Sequence, residues 1–212
     1  RNPCPNCGSR QRKVGVTLGI AVESNIALPV TVRGGRPPEI TPILLQGILI
    51  PGEKSDEGQL IRAVAPAWFE ILRLLQDDPE AAYGIPPRKW EEIVAGAYET
   101  AGFDEGILTP ASGDRGRDVI AVKRGIGRVR VIDQVKAYKP GHLVSANDVR
   151  ALMGVLHEDG ASKGFVTTTS DFAPKIADDP LILPLIPTRL ELVNGGQLLS
   201  RLRELAGGER EG

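Results

Sequence analysis

An aspartate, a glutamine and a lysine carry the most telling chemistry in this chain. Asp118 opens the stretch Asp118-Val119-Ile120-Ala121-Val122, whose apolar residues fall on both faces of an extended chain. Such a run is a central strand buried on both sides. A carboxylate at its start is costly unless something compensates the charge, and a divalent cation does so. The next extended stretch reads Val131-Ile132-Asp133-Gln134-Val135-Lys136. Side chains two apart on a strand share a face, so Gln134 and Lys136 point the same way, roughly 6–7 Å apart. An acid on one strand, with an amide oxygen and a lysine on its hairpin partner, suits hydrolysis of a phosphodiester. The two oxygens hold a metal, which polarises the phosphate and lowers the pKa of a bound water. The lysine places positive charge beside the developing pentacovalent phosphate.

These residues need a frame. Arg117–Lys123 and Arg128–Ala137 are expected as strands of a hairpin turned at Gly125-Ile126-Gly127. Before them come a helix over Trp90–Ala101 and a short strand near Ile107–Thr109. After them come a helix over Ser145–Glu158, with Ser145 as N-cap for Asp148, and a buried strand over Gly164–Thr168. A short helix over Asp171–Ala177, a strand over Leu190–Val193 and a helix over Gly196–Leu205 complete the pattern. That order implies an α/β fold, a central mixed sheet flanked by helices. On the Trp90–Ala101 helix the apolar face is Trp90, Ile93, Val94, Ala97 and Ala101. Glu91 lies at its edge and Glu92 on the far side, so Glu91 is the auxiliary acid expected to look into the sheet and Glu92 is expected in solvent.

Upstream, residues 39–87 are expected to hold an apolar strand over Ile43–Ile50 and a helix running to about Gln76. Leu60, Ile61, Val64, Trp68, Ile71, Leu72 and Leu75 follow helical spacing, and Pro66 must either kink that helix or mark its start. Residues 1–35 form a β-rich amino-terminal region, with stretches at Val14–Val22 and Ile26–Val32, that opens on Cys4-Pro5-Asn6-Cys7-Gly8. This resembles one zinc knuckle. A structural zinc site takes four ligands and the chain offers no second cysteine pair, so Cys4 and Cys7 either share Zn²⁺ with ligands from elsewhere or hold no metal. The organisation is then a knuckle region at 1–35, a linker, strand and helical spacer at 36–87, a catalytic domain at 88–206 and a flexible tail at 207–212.

Trp90-Glu91, Gly113-Asp114-Arg115-Gly116-Arg117-Asp118-Val119-Ile120-Ala121 and Gln134-Val135-Lys136 together resemble the Mrr-like restriction endonucleases. These are a branch of the PD-(D/E)xK nuclease superfamily in which glutamine replaces the usual acid. The likeness continues through Asp148–Leu156, Lys163–Ser170 and Leu192–Gly195, and covers residues 88–206. It implies a restriction-endonuclease-like fold and a Mg²⁺-dependent endonuclease, with Mn²⁺ a workable substitute, acting on double-stranded DNA in restriction or phage defence. It implies Asp118 as metal ligand, Gln134 at the replaced acidic position, Lys136 as catalytic lysine, Glu91 as the helix acid and Asp114 in the loop leading into the site. Family members usually carry glycine and an apolar residue where this chain has Arg115 and Arg117.

Global composition is silent on a polyanionic partner. The 212 residues have a net charge of −1, 41% hydrophobic and 25% charged residues. Local charge speaks where the total does not. Arg115, Arg117, Lys123, Arg124, Arg128, Arg130, Lys136 and Lys139 face only Asp118 and Asp133 within one stretch, which is expected to bind phosphates. No apolar run approaches a membrane span, no secretion signal opens the chain, and two cysteines three residues apart build no disulfide framework, so a cytoplasmic setting is expected. The absence of an initiator Met points to an amino terminus upstream of Arg1. Cutting both strands takes two sites, which favours a homodimer. A repair or structure-specific nuclease on the same fold, a DNA-binding module without chemistry, and RNA as substrate are the competing readings.

Overall fold

The computed structural model describes residues 40–111 and 116–207. Cys4, Cys7, the two early β stretches, Asp114, Arg115 and residues 208–212 lie outside the described residues. A seven-stranded sheet forms the centre, with its strands side by side in chain order. These are β1 (Leu49–Ser55), β2 (Gly58–Val64), β3 (Glu105–Leu108), β4 (Val119–Arg124), β5 (Arg128–Lys136), β6 (Lys163–Thr168) and β7 (Leu190–Val193). Neighbours from β1 to β5 run antiparallel, while β5, β6 and β7 run parallel. The expected central mixed sheet is therefore present. Among the described residues no helix is long and apolar enough to cross a membrane.

Helices cover both faces. On one side α1 (Pro66–Asp77), α2 (Pro87–Thr100) and α4 (Gly195–Gly207) pack on the sheet around Trp68, Ile71, Trp90, Ile93, Val119, Val135, Val193 and Leu198. On the other, α3 (Ala146–Asp159) lays Val149, Leu152 and Leu156 against Ile132, Val166 and Leu190. β4 lies between the two layers, with Val119, Ile120, Ala121 and Val122 all buried. Period-two alternation then sorts β5: Asp133 and Val135 face the α2 side, while Ile132, Gln134 and Lys136 face the α3 side.

The start and stop of α3 follow the sequence. The Ser145 side chain accepts from the Asp148 amide and the Asp148 carboxylate accepts from the Ser145 amide, a reciprocal capping box. Gly160 ends the helix at φ 69°, a left-handed backbone that glycine adopts without a Cβ clash.

Three expectations are corrected. Residues 42–47 form turns, and the first strand begins at Leu49 rather than at Ile43. Leu60, Ile61 and Val64 belong to β2, paired with β3 through Leu60–Ile107 and Ile61–Gly106, so the helix starts only at Pro66. Proline lacks an amide hydrogen and fits the first turn, where that donor has no intrahelical acceptor. Three apolar residues at helical spacing are too few to fix a period, and pairing with β3 makes the segment a strand. The expected helix over Asp171–Ala177 is a bridge from Val144 to Phe172 followed by one 3₁₀ turn at Ile176–Asp178. Its backbone is already engaged, since the Val144 amide donates to the Asp171 carbonyl and the Ala173 amide to the Val144 carbonyl, both at 2.9 Å.

The job of residues 36–87, open in the sequence, is visible from residue 40 onward. β1 and β2 extend the sheet, and Trp68 on α1 donates its indole hydrogen to the Ile93 carbonyl of α2 at 3.0 Å. This segment is part of the same core.

Candidate active site

Asp118 is held at the first step of β4 by the main chain of its neighbour. Its amide donates to the Asp133 carbonyl at 3.2 Å. Its Oδ2 accepts the Val135 amide at 2.7 Å. The carboxylate thus takes an amide that a ladder carbonyl would otherwise engage, at the residue between Gln134 and Lys136. Across the strand, the Asp118 carbonyl accepts the Thr109 amide at 3.1 Å.

Gln134 is 8% exposed, and its Oε1 is buried without a hydrogen-bond partner among the described residues. A buried amide oxygen left unmade costs about 1–3 kcal/mol, so the orphan is a notable feature. Gly116 lies close against its amide nitrogen. Its φ is +79°, and a Cβ there would stand 2.9 Å from Gln134 Nε2. Glycine adopts that backbone without strain, and any Cβ there would make the Gln134 amide shift.

Lys136 closes the β5 series. Its carbonyl accepts the Tyr138 amide at 2.9 Å, the Thr169 amide at 3.2 Å and the Thr168 hydroxyl at 2.7 Å, which pins the backbone. Its Nζ lies 3.9 Å from Asp148 Oδ1. Burial raises the pKa of Asp148, but the Ser145 hydroxyl and amide and the Lys136 charge outweigh it, and the carboxyl sits below its ordinary value.

Glu91 is engaged elsewhere. Its carboxylate accepts from Arg88 Nη1 at 2.5 Å, and Arg88 Nη2 donates to the Thr109 carbonyl at 2.8 Å. Arg88 links it to Thr109, whose amide donates to the Asp118 carbonyl. The expected contrast with Glu92 is corrected: the side chains are 17% and 16% exposed, because Lys89 folds over Glu92 as Arg88 does over Glu91. Among the described residues no three His, Cys, Asp or Glu side chains gather as a metal cluster. Asp118 and Gln134 stand on neighbouring stretches of the hairpin, and a carboxylate and an amide oxygen are hard donors of the kind that Mg²⁺ or Mn²⁺ takes.

The basic residues do not form one strip. Arg124 pairs across the hairpin with Arg128, six positions from Asp118 and so roughly 20 Å away. There Arg124 is bonded to Glu105, and Lys123 to the Gly102 carbonyl. Arg130 is shared between Asp159, at 2.5 Å, and Glu57, at 2.5 Å. Arg117, next to Asp118, meets Asp159 at 2.8 Å. Lys139 is exposed just beyond Lys136. The charges that looked continuous in sequence are divided between the two ends of the hairpin, and several are neutralised by acids from other elements.

Two features escaped sequence reasoning. Asp148 was legible as a cap but not as a neighbour of Lys136. Asp133, 3% exposed on the opposite sheet face, accepts Tyr98 Oη at 2.9 Å and Thr167 Oγ1 at 3.1 Å through one oxygen. The signal for it was there, since alternation puts Asp133 on the face opposite Gln134 amid apolar residues.

A family model described as restriction endonuclease, the Mrr catalytic domain, matches residues 82–202. The chain belongs to this family. Asp118, Gln134, Lys136 and Glu91 all lie inside the matched segment of this restriction endonuclease domain. The search of solved structures returns the MspJI restriction endonuclease in complex with a 27-mer oligonucleotide, at 17% identity and a TM-score of 0.41, over 68% of this chain and 35% of that one. It also returns the DNA modification-dependent restriction endonuclease AspBHI, at 16% identity and a TM-score of 0.43, over 86% and 42%. The chain spans less than half the length of either protein. No curated protein matches it.

Proposed function

We propose that this restriction endonuclease domain hydrolyses DNA phosphodiester bonds with the help of a divalent cation, in restriction or phage defence. The observation that carries the reading is the orphaned Gln134 Oε1, buried on β5 one residue before Val135, whose amide the Asp118 carboxylate accepts. Asp118 and Gln134 would hold Mg²⁺, with Mn²⁺ as a substitute. When bound, the cation would polarise the scissile phosphate and acidify a water. Asp118 would be oriented for that role by the Val135 amide, which holds one of its oxygens against β5. Lys136 supplies positive charge to the phosphate from the same sheet face. Glu91 joins only if Arg88 releases it, so it is an auxiliary acid coupled to that arginine.

Lys139, exposed at the catalytic end of the hairpin, would meet the DNA backbone first, and Arg117 would do so on leaving Asp159. Lys123, Arg124, Arg128 and Arg130 would meet DNA only where a duplex runs along the hairpin. Zn²⁺ at Cys4 and Cys7 remains a separate proposal for the amino-terminal region. A homodimer would bring two such sites to the two strands, and a chain working on intracellular DNA belongs in the cytoplasm.

A plasmid-nicking assay tests this, with Mg²⁺, with Mn²⁺ and with EDTA, beside Asp118→Ala and Lys136→Ala. The wild type is expected to nick with either metal and not with EDTA. Each variant is expected to lose at least about 100-fold. Retained, salt-sensitive DNA binding without cleavage would leave a binding module instead. Cleavage of RNA alone would overturn the substrate. Greater activity on methylated plasmid would separate modification-dependent restriction from repair.

A further inference from the structure

The Asp148 carboxylate does two jobs with two oxygens. Oδ2 serves the capping box, accepting the Ser145 amide at 3.0 Å and the Ser145 hydroxyl at 2.6 Å. The cap requires no more than that. Oδ1 is turned instead toward Lys136 Nζ, 3.9 Å away. Both side chains are only partly exposed, 24% for Lys136 and 30% for Asp148.

The need for such a partner follows from where Lys136 stands. Its carbonyl is fixed by three donors, but four rotatable bonds separate that anchor from the ammonium. The amino terminus of α3 lies beside it, and the unpaired amides there carry the positive end of the helix dipole. An ammonium facing that end is pushed away. A carboxylate at the third helical position both neutralises the helix end and draws the ammonium back. His142, whose ring stacks on Tyr138 at 4.1 Å in the loop before α3, adds further positive charge near Asp148 when protonated. Asp148 is the acid that counters both.

We infer that Asp148 is a positioning residue that holds the Lys136 ammonium over the sheet face shared by Asp118 and Gln134. This rests on the nuclease reading for its catalytic consequence, while the contact itself does not. In the full chain, Asp148→Asn keeps an oxygen that can accept from Ser145 and removes the charge, with its pull on Lys136 and a small helix-end stabilisation. Asp148→Ala removes both. Two measurements separate the roles. Asp148→Asn is expected to leave Tm within about 2 °C of wild type while Asp148→Ala lowers it further. In plasmid cleavage, Asp148→Asn is expected to lower kcat roughly tenfold with KM for DNA unchanged, because the ammonium is present but no longer held. Relaxation of the ¹³C-labelled Lys136 Cε methylene is expected to show greater motion in Asp148→Asn than in wild type. Unchanged Cε motion, or a kcat within twofold of wild type at unchanged KM, overturns the inference. If the wild type itself fails to cut DNA, the nuclease reading falls, and the Cε relaxation alone decides whether Asp148 holds Lys136.

Discussion

Replacing Asp133 by asparagine should make the protein more stable in neutral and alkaline solution. Asp133 is 3% exposed, with Oδ2 bonded to Tyr98 and Thr167 and Oδ1 buried without a partner among the described residues. Burial pushes its carboxyl up to about 7, against the pull of the Thr167 and Tyr98 hydroxyls. An ordinary aspartate ionises near 3.8. At about 1.4 kcal/mol per pH unit, that gap makes the ionised form cost on the order of 4 kcal/mol in the folded chain. The sign follows from the direction. A group whose pKa rises on folding favours the folded state most below its unfolded value, and that contribution is lost as pH rises through about 7. Asparagine keeps an acceptor for Tyr98 and Thr167 and cannot ionise. The advantage of Asp133→Asn over wild type should therefore grow between pH 5 and pH 8.5 by about 3 kcal/mol, levelling off above the folded pKa. Urea unfolding followed by circular dichroism at a series of pH values measures it. Parallel stability curves for the two proteins would refute the argument, and with it the claim that desolvation dominates at this carboxylate.

Other substitutions probe the packing that positions the site. Gly96→Ala puts a Cβ 2.5 Å from Trp68 Nε1, which donates to the Ile93 carbonyl, so chemical denaturation should show a loss of about 1–3 kcal/mol. Gly116→Ala meets both a φ of +79° and Gln134 Nε2 at 2.9 Å, and should cost about 1 kcal/mol and depress nicking by shifting Gln134. Wild-type nicking by that variant would show the loop to be adaptable. Asp159 holds Arg130 and Arg117, and its carboxyl lies below its ordinary range, first through the Arg130 hydrogen bond. That stability is present above the usual carboxylate pKa and lost as pH falls through the lowered one. Asp159→Asn should therefore lower Tm at pH 7 and lose its effect in acid, as a thermal melt series would record.

What lay open in the sequence was whatever depends on neighbours along the chain. The unbroken apolar run Val119–Val122 could only be a doubly covered strand, and Gly125-Ile126-Gly127 could only turn it back. Ser145 with Asp148 declared the start of α3. Alternation on one strand put Gln134 and Lys136 on a common face. Resemblance to restriction endonucleases then named the same residues, and the family match covers them. The segment before Pro66 differs for a related reason: Leu60, Ile61 and Val64 have helical spacing, but three residues are too few to fix a period, and pairing with β3 makes the segment a strand.

Tertiary structure decided which charges are available. Arg130 and Arg117 look like phosphate ligands in sequence, but Asp159, on α3, reaches both. Glu91 looks like a free acid at the edge of a helix face, but Arg88 one turn earlier claims it. Lys136 acquires Asp148 only because α3 returns over the end of β5. Asp133 becomes a buried acid only when α2 and β6 close over it. A residue's period and its local bonds are properties of a short stretch of chain, and sequence displays them. Its counter-ion and its dielectric surroundings come from segments tens of residues away, so they exist only once the sheet has folded.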